Sequence, residues 1–150
     1  MRGATLSLKG RALKYLAARE HSRAELIRKL APHAESMDEV ERTLDELESK
    51  GLLSAERFAE SVVHRKAARF GAARLKAELA QHQLPEELTR SVLHTLKETE
   101  FDRARALWLK RFGQPPATPA DRVKQARFLA GRGFSGEIIR QILKGVDAPD

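Results

Sequence analysis

Cysteine is absent from this chain, so neither a disulfide nor a thiolate metal site is open to it. That lack fits a reducing, cytoplasmic setting. Aromatic residues make up only 5% of the sequence, with a single Trp and a single Tyr, and no stretch alternates apolar and polar residues as a half-buried strand does. No run of about 18 apolar residues exists, which excludes a transmembrane helix. The opening segment, from Met1 to Lys9, has no apolar core of the kind a secretory signal needs. The five histidines, His21, His33, His64, His82 and His94, are scattered, and none forms a helical metal-ligand pair. Gly131-Arg132-Gly133 resembles a phosphate loop only superficially, because no strand precedes it and no Lys-Ser/Thr follows it. The sequence therefore presents no catalytic residue, no metal site and no cofactor site.

What is present is a repeated turn. Ser22 is followed by Leu26 and Leu30, Gly71 by Leu75 and Leu79, and Ser135 by Ile139 and Leu143. Aliphatics at +4 and +8 lie on one helix face, so each repeat predicts a short helix that buries both. Ser and Gly suit helix starts, and Ser22 with Glu25, like Ser36 with Glu39, predicts a capping box. Val40 and Leu44 recur as Leu88 and Val92, which argues for duplication of a helical unit. The third copy is out of step: 49 residues separate Ser22 from Gly71, but 64 separate Gly71 from Ser135. Either a helix has been added or the repeat changes phase there.

Caps, breakers and apolar periodicity together predict nine helices. They cover about 7–19, 22–30, 36–50, 54–70, 71–80, 85–97, 100–111, 118–130 and 135 onward. The expected architecture is all-α: tandem three-helix repeats, 1–53, 54–99 and 100–150, stacked into an elongated, curved array. The third unit is irregular and carries the Pro-rich connector 113–119. Trp108, at helical spacing from Phe101, Ala104 and Leu107, reads as core. Phe70 and Phe134 each precede a turn and read as equivalent plugs between helices.

The net charge of +7 points to an acidic or polyanionic partner, and its distribution says more. Residues 1–19, 61–77 and 122–136 contain no Asp or Glu, while acids crowd the third helix from Glu35 to Glu48. The basic stretches recur at the turns, so stacked units would align them into a stripe. Candidate partner-binding residues are Arg19 and Arg23, then Arg65, Lys66, Arg69 and Arg74, then Arg127 and Arg132. The bland alternative is a set of solvated faces neutralised by neighbouring acids. A DNA-reading helix-turn-helix shares the local pattern, with Arg23, Arg28 and Lys29, or Arg74 and Lys76, on the second helix. Ordinary helical corners share it too.

At this point the motifs resemble the RecX family. Ala12-Leu13 with Leu16, Arg19-Glu20-His21-Ser22, and Glu25-Leu26 with Leu30 are similar to that family's opening unit. Phe58-Ala59, Gly71 with Arg74-Leu75, and Glu78-Leu79 are similar to its middle. Arg132-Gly133-Phe134-Ser135 with Ile138-Ile139 resembles its closing signature. The chain departs from the family at Ser54-Ala55, where acids are usual, and at Leu84, where Gly is common.

The resemblance implies a modulator of the RecA recombinase that lodges in the groove of the RecA filament on single-stranded DNA. Such proteins generally inhibit ATP hydrolysis, strand exchange and coprotease activity, with no catalytic residue or cofactor. The expected partners are the RecA filament and single-stranded DNA, bound directly or through the filament, by a cytoplasmic monomer without a membrane anchor. Two other readings stay open: a direct nucleic-acid binder acting through phosphate contacts, and a helical adaptor for an unrelated acidic partner.

Overall fold

A computed structural model describes residues 5–147, with side chains through Lys144. Among the described residues there are eight α-helices, one 3-10 turn and no strand. The helices are α1 (Leu8–Ala18), α2 (Arg23–Leu30), α3 (Met37–Ser49), α4 (Ala55–Lys66), α5 (Ala72–Ala80), α6 (Glu86–Arg111), α7 (Pro119–Gly131) and α8 (Gly136–Asp147). The chain divides into two compact units. Unit 1 comprises Met1–Ser61 with Ala80–Pro85, and unit 2 comprises Val62–Leu79 with Glu86–Asp150.

The six aliphatics of the repeated turn are all buried: Leu26, Leu30, Leu75, Leu79, Ile139 and Leu143. In unit 1, Leu26 and Leu30 join Leu8, Ala12, Val40, Leu44, Leu47 and Leu53 in one core, where α1, α2 and α3 meet. In unit 2, α6, α7 and α8 pack around Ala104, Trp108, Leu129, Phe134, Ile139, Ile142 and Leu143. Trp108 is a core residue, as its spacing predicts, and its indole N–H donates to Gln125 Oε1 at 2.7 Å.

Three expectations need correction. The predicted sixth and seventh helices are one continuous helix, α6, of 26 residues. No Gly or Pro interrupts Lys97-Glu98-Thr99-Glu100, and Thr99 caps nothing. Its hydroxyl bonds back to the carbonyls of Thr95 and Leu96 at 3.3 Å, which is compatible with uninterrupted helix. The long spacing before Ser135 is occupied by α6, the connector that follows it and α7. Second, the Ser36–Glu39 box is half formed: Ser36 Oγ accepts from the Glu39 N–H at 3.2 Å, but the Glu39 carboxylate turns to the Glu35 N–H. Third, Phe70 and Phe134 are not equivalent plugs. Phe134 is buried, whereas Phe70 lies beyond the end of α4 and is half-buried.

The α1–α2 corner shows how sequence fixes a turn. Ser22 Oγ accepts from the Glu25 N–H at 3.1 Å, and Glu25 Oε1 accepts from the Ser22 N–H at 3.0 Å, completing the predicted box. Arg19 grips the same carboxylate with both terminal nitrogens, at 2.7 and 3.2 Å. Burial alone raises the Glu25 pKa. The Arg19 bonds and the Ser22 N–H outweigh it and hold the group at about 2, against an ordinary 4.5. A carboxylate depressed in the folded state contributes stability above its unfolded pKa and loses it as pH falls through the folded value. The urea midpoint of unit 1 is therefore expected to fall between about pH 4.5 and pH 2. Glu25→Gln is expected to lower the midpoint at pH 7 and flatten that part of the profile. Parallel profiles for the two proteins would refute the assignment.

Candidate polyanion-binding surface

The eight predicted residues separate into three groups. Arg19, Arg23 and Lys66 are held by carboxylates. Arg19 binds Glu25, Arg23 binds Asp45 at 2.8 Å as well as Glu48, and Lys66 binds Glu78. Arg23 also donates to the Glu41 carbonyl, so it ties α2 to α3. For these three, the geometry is that of internal ion pairs within one unit.

A second group converges. In unit 2, the Gly71 N–H donates to the Arg132 carbonyl at 2.8 Å, and Arg74 Nη1 donates to the Gly131 carbonyl at 3.0 Å. These bonds join two of the three acid-free stretches, 61–77 and 122–136. Around the junction, the guanidiniums of Arg69, Arg74 and Arg132 lie 5.2, 4.2 and 5.6 Å from the Phe70 ring centroid. Arg132 is also 4.9 Å from the Phe128 ring, and Arg111 lies 5.0 Å from the same ring. Phe112 meets Phe128 edge to face at 5.5 Å. Ring faces attract guanidiniums and hold them in place without neutralising them. Stacked in this way, an Arg keeps N–H edges free for phosphate or carboxylate oxygens, although Arg74 gives its Nη1 to the Gly131 carbonyl. Arg111, which the sequence reading did not single out, completes a four-arginine cluster.

The third group is Arg65 and Arg127. Both are exposed and neither has an ion-pair partner among the described residues. Arg65 lies in the last turn of α4, where a cation also complements the helix dipole.

The turns that shape this surface depend on two residues of α6 absent from the candidate set. Arg103 is half-buried. Its Nη1 donates to the carbonyls of Ala67 and Phe70, both at 2.7 Å, and its Nη2 donates to Leu96 at 2.7 Å. It thus satisfies the carbonyls that follow α4 and fixes the segment carrying Arg69 and Phe70. Desolvation lowers the Arg103 pKa, with the Glu100 charge opposing it. Glu100 is buried at 5% exposure. Its Oε1 accepts from the Ala72 N–H at 2.9 Å and its Oε2 from the Ser135 N–H at 3.0 Å. One carboxylate therefore serves the N-terminal ends of both α5 and α8. The signal was available: Leu96, Glu100, Ala104 and Trp108 follow one another at +4, so an acid sits in the middle of a buried stripe.

Among the described residues, no group of three or more His, Asp and Glu could hold a metal ion, and no helix is long and apolar enough to cross a membrane.

Comparison with known proteins matches the chain in three places to the RecX family. The first three-helix domain covers residues 9–47, the second 56–93 and the third 98–143. The third domain thus begins inside α6. The chain is 57% identical over 143 residues to the regulatory protein RecX of Ralstonia nicotianae, covering 95% of this chain and 90% of that one. It is 56% identical over 142 residues to the regulatory protein RecX of Leptothrix cholodnii, with the same coverage. The fold matches the crystal structure of RecX from Lactobacillus salivarius with a TM-score of 0.77, at 20% identity, covering 93% of this chain and 94% of that one. Three ordered domain matches, and more than half of the residues shared with relatives over nearly the whole length, establish that this chain belongs to the RecX family of regulatory proteins.

Proposed function

We propose that this chain is a non-enzymatic, monomeric regulator of the RecA recombinase, built of three-helix units 1–53, 54–99 and 100–150. It binds in the groove of the RecA filament on single-stranded DNA and suppresses ATP hydrolysis, strand exchange and coprotease activity. The observation that supports a specific surface is the convergence of two acid-free stretches on Phe70. Arg69, Arg74 and Arg132 there are ordered by a ring and not by carboxylates. A groove that displays phosphate and acidic side chains would meet these guanidiniums, with exposed Arg65 and Arg127 contributing at longer range. Arg19, Arg23 and Lys66 shape their own units through ion pairs, and their replacement acts through folding first.

The test is Arg65→Glu with Arg69→Glu. Both side chains are exposed and neither is in an ion pair, so the variant is expected to fold, at a cost of about 1–2 kcal/mol from the lost Phe70 contact and the reversed charge at the end of α4. Inhibition of single-stranded-DNA-dependent ATP hydrolysis by the cognate recombinase, at fixed DNA occupancy, is expected to need at least about tenfold more of the variant. Its residual binding should also depend less on salt. A folded variant that inhibits at the wild-type concentration would mark these arginines as a solvated face. Loss of binding to bare single-stranded DNA with inhibition intact would favour direct nucleic-acid binding as their role.

A further inference from the structure

The acid-free stretch 1–19 takes no part in the arginine cluster, and it contains the whole of α1 in unit 1. Arg11, Lys14, Tyr15 and Ala18 recur at +3 and +4, so they form one strip along that helix. Tyr15 borders α2, where the Lys29 ammonium lies 4.6 Å from its ring centroid. Arg28 precedes Lys29 on the outer side of α2, opposite buried Leu26 and Leu30. We infer that this α1–α2 face is a second binding surface, one that takes the phosphate backbone of a nucleic acid whatever its base sequence.

The face is basic because no carboxylate neutralises it. Arg11, Lys14 and Arg28 have no ion-pair partner among the described residues, and Lys14 and Arg28 are exposed. Lys29 is placed by two neutral rings, those of Tyr15 and His21. His21 is buried; its Nδ1–H donates to the Arg19 carbonyl at 3.0 Å, and its Nε2 accepts from Lys29 Nζ at 3.2 Å. Burial holds the His21 pKa below its ordinary value, which keeps the ring an acceptor at neutral pH. Acids that reach these two helices are engaged elsewhere: Glu25 by Arg19, Glu20 by Arg57, and Glu46 by Lys9 and Lys50. Lys9, two residues from Arg11, points to the opposite side of α1, and Arg23 meets α3 from a different flank of α2 than Lys29. The acids of α3 therefore stand on the far side of both helices.

A protein partner fits less well. Interfaces between proteins are anchored by apolar or aromatic side chains that lose their water. In unit 1 the exposed large apolar side chains are Leu6, Met37 and Leu52, and none lies on α1 or α2. What this face offers is cations spread over two helices. Phosphates spaced along a strand meet such charges without any apolar contact, and contacts to the backbone carry no base preference. The surface shares no residue with the arginine cluster, so it stands or falls apart from the filament contact.

The experiment is titration of the intact protein with oligothymidylate, read residue by residue through amide chemical shifts. Shifts are expected at residues 11–15 and 27–30, and a mixed-sequence strand of the same length should bind there equally well. Lys14→Gln with Arg28→Gln, both exposed and unpaired, should leave the rest of the spectrum unchanged. Affinity read at the Tyr15 and Lys29 amides should fall at least about tenfold. The slope of log K against log salt should become shallower by about 1.4, or about 0.7 for each lost phosphate contact. No shift at these residues, or an unchanged slope in the double variant, would overturn the proposal. Tighter binding of polyglutamate than of oligothymidylate at the same amides would overturn it in favour of an acidic protein. If the shifts persist in an Arg65→Glu, Arg69→Glu protein that inhibits like wild type, the arginine surface fails and the unit 1 surface stands.

Discussion

Replacing Gly71 with alanine is expected to destabilise unit 2 by on the order of 3–4 kcal/mol, more than most single substitutions of a turn residue. Gly71 is the residue from which α5 starts, and its backbone lies against the loop between α7 and α8. A β-carbon at this position falls 2.3 Å from the Gly133 carbonyl oxygen and 2.6 Å from the Phe134 nitrogen. Those are backbone atoms, so no rotamer change relieves the overlap. The Gly133 side is equally closed: its φ is +90°, and a β-carbon there would lie 2.4 Å from the Arg74 Cβ. The bond from the Gly71 N–H to the Arg132 carbonyl then has to lengthen or break, and the arginines ordered around Phe70 lose their common frame. Gly71→Ser makes the test sharper. Ser occupies the corresponding place at residues 22 and 135, and Ser is a good N-cap. Helix-start chemistry alone predicts a neutral or favourable change, whereas close backbone approach predicts that Gly71→Ser fails as badly as Gly71→Ala. Urea unfolding followed by circular dichroism measures both. A shift under about 1 kcal/mol for either variant would show that the two loops separate freely.

The contrast between Ser22, Gly71 and Ser135 marks where sequence reading stops. The +4 and +8 aliphatics were legible because burial is a periodic property, and each of the six is buried. The reason Gly stands at residue 71 was not legible, since the neighbour that forbids a side chain is 62 positions away in Gly133. The fused α6 was missed through a local ambiguity. The predicted break at Lys97–Glu100 had no Gly or Pro to support it, and the Leu96–Glu100–Ala104–Trp108 stripe running through it argued for continuity. Charge showed the same division. Acid-free stretches located the arginines that meet at Phe70, because a basic surface needs local depletion of acids. Composition could not reveal that Arg19, Arg23 and Lys66 find carboxylates at Glu25, Asp45, Glu48 and Glu78. Arg111 was out of reach for a simpler reason: its relation to Phe128 exists only once α6 and α7 pack.

Glu100→Ala is expected to cost about 3 kcal/mol, because it leaves two backbone donors without their charged acceptor. The Ala72 N–H is buried, and both it and the Ser135 N–H belong to the orphan donors that open a helix. Two substitutions separate the possible causes. Glu100→Gln keeps the shape and one acceptor but turns an amide N–H₂ toward the other donor, so it should lose most of the same stability. Glu100→Leu extends the apolar stripe of α6 between Leu96 and Ala104 and removes the burial of a carboxylate, yet still leaves both donors unpaired. If the carboxylate is present to terminate α5 and α8, Glu100→Leu remains well below wild type, and amide hydrogen exchange at Ala72 and Ser135 accelerates in all three variants. The effect should extend to the surface, since the loops that Glu100 anchors at their helix starts carry Phe70 and Arg132. On the proposed function, weaker inhibition of the recombinase is then expected from a residue that lies outside the arginine cluster. A Glu100→Leu protein as stable as wild type, with unchanged exchange at both amides, would show instead that the site collapses onto an apolar side chain and that the two helix starts find other acceptors.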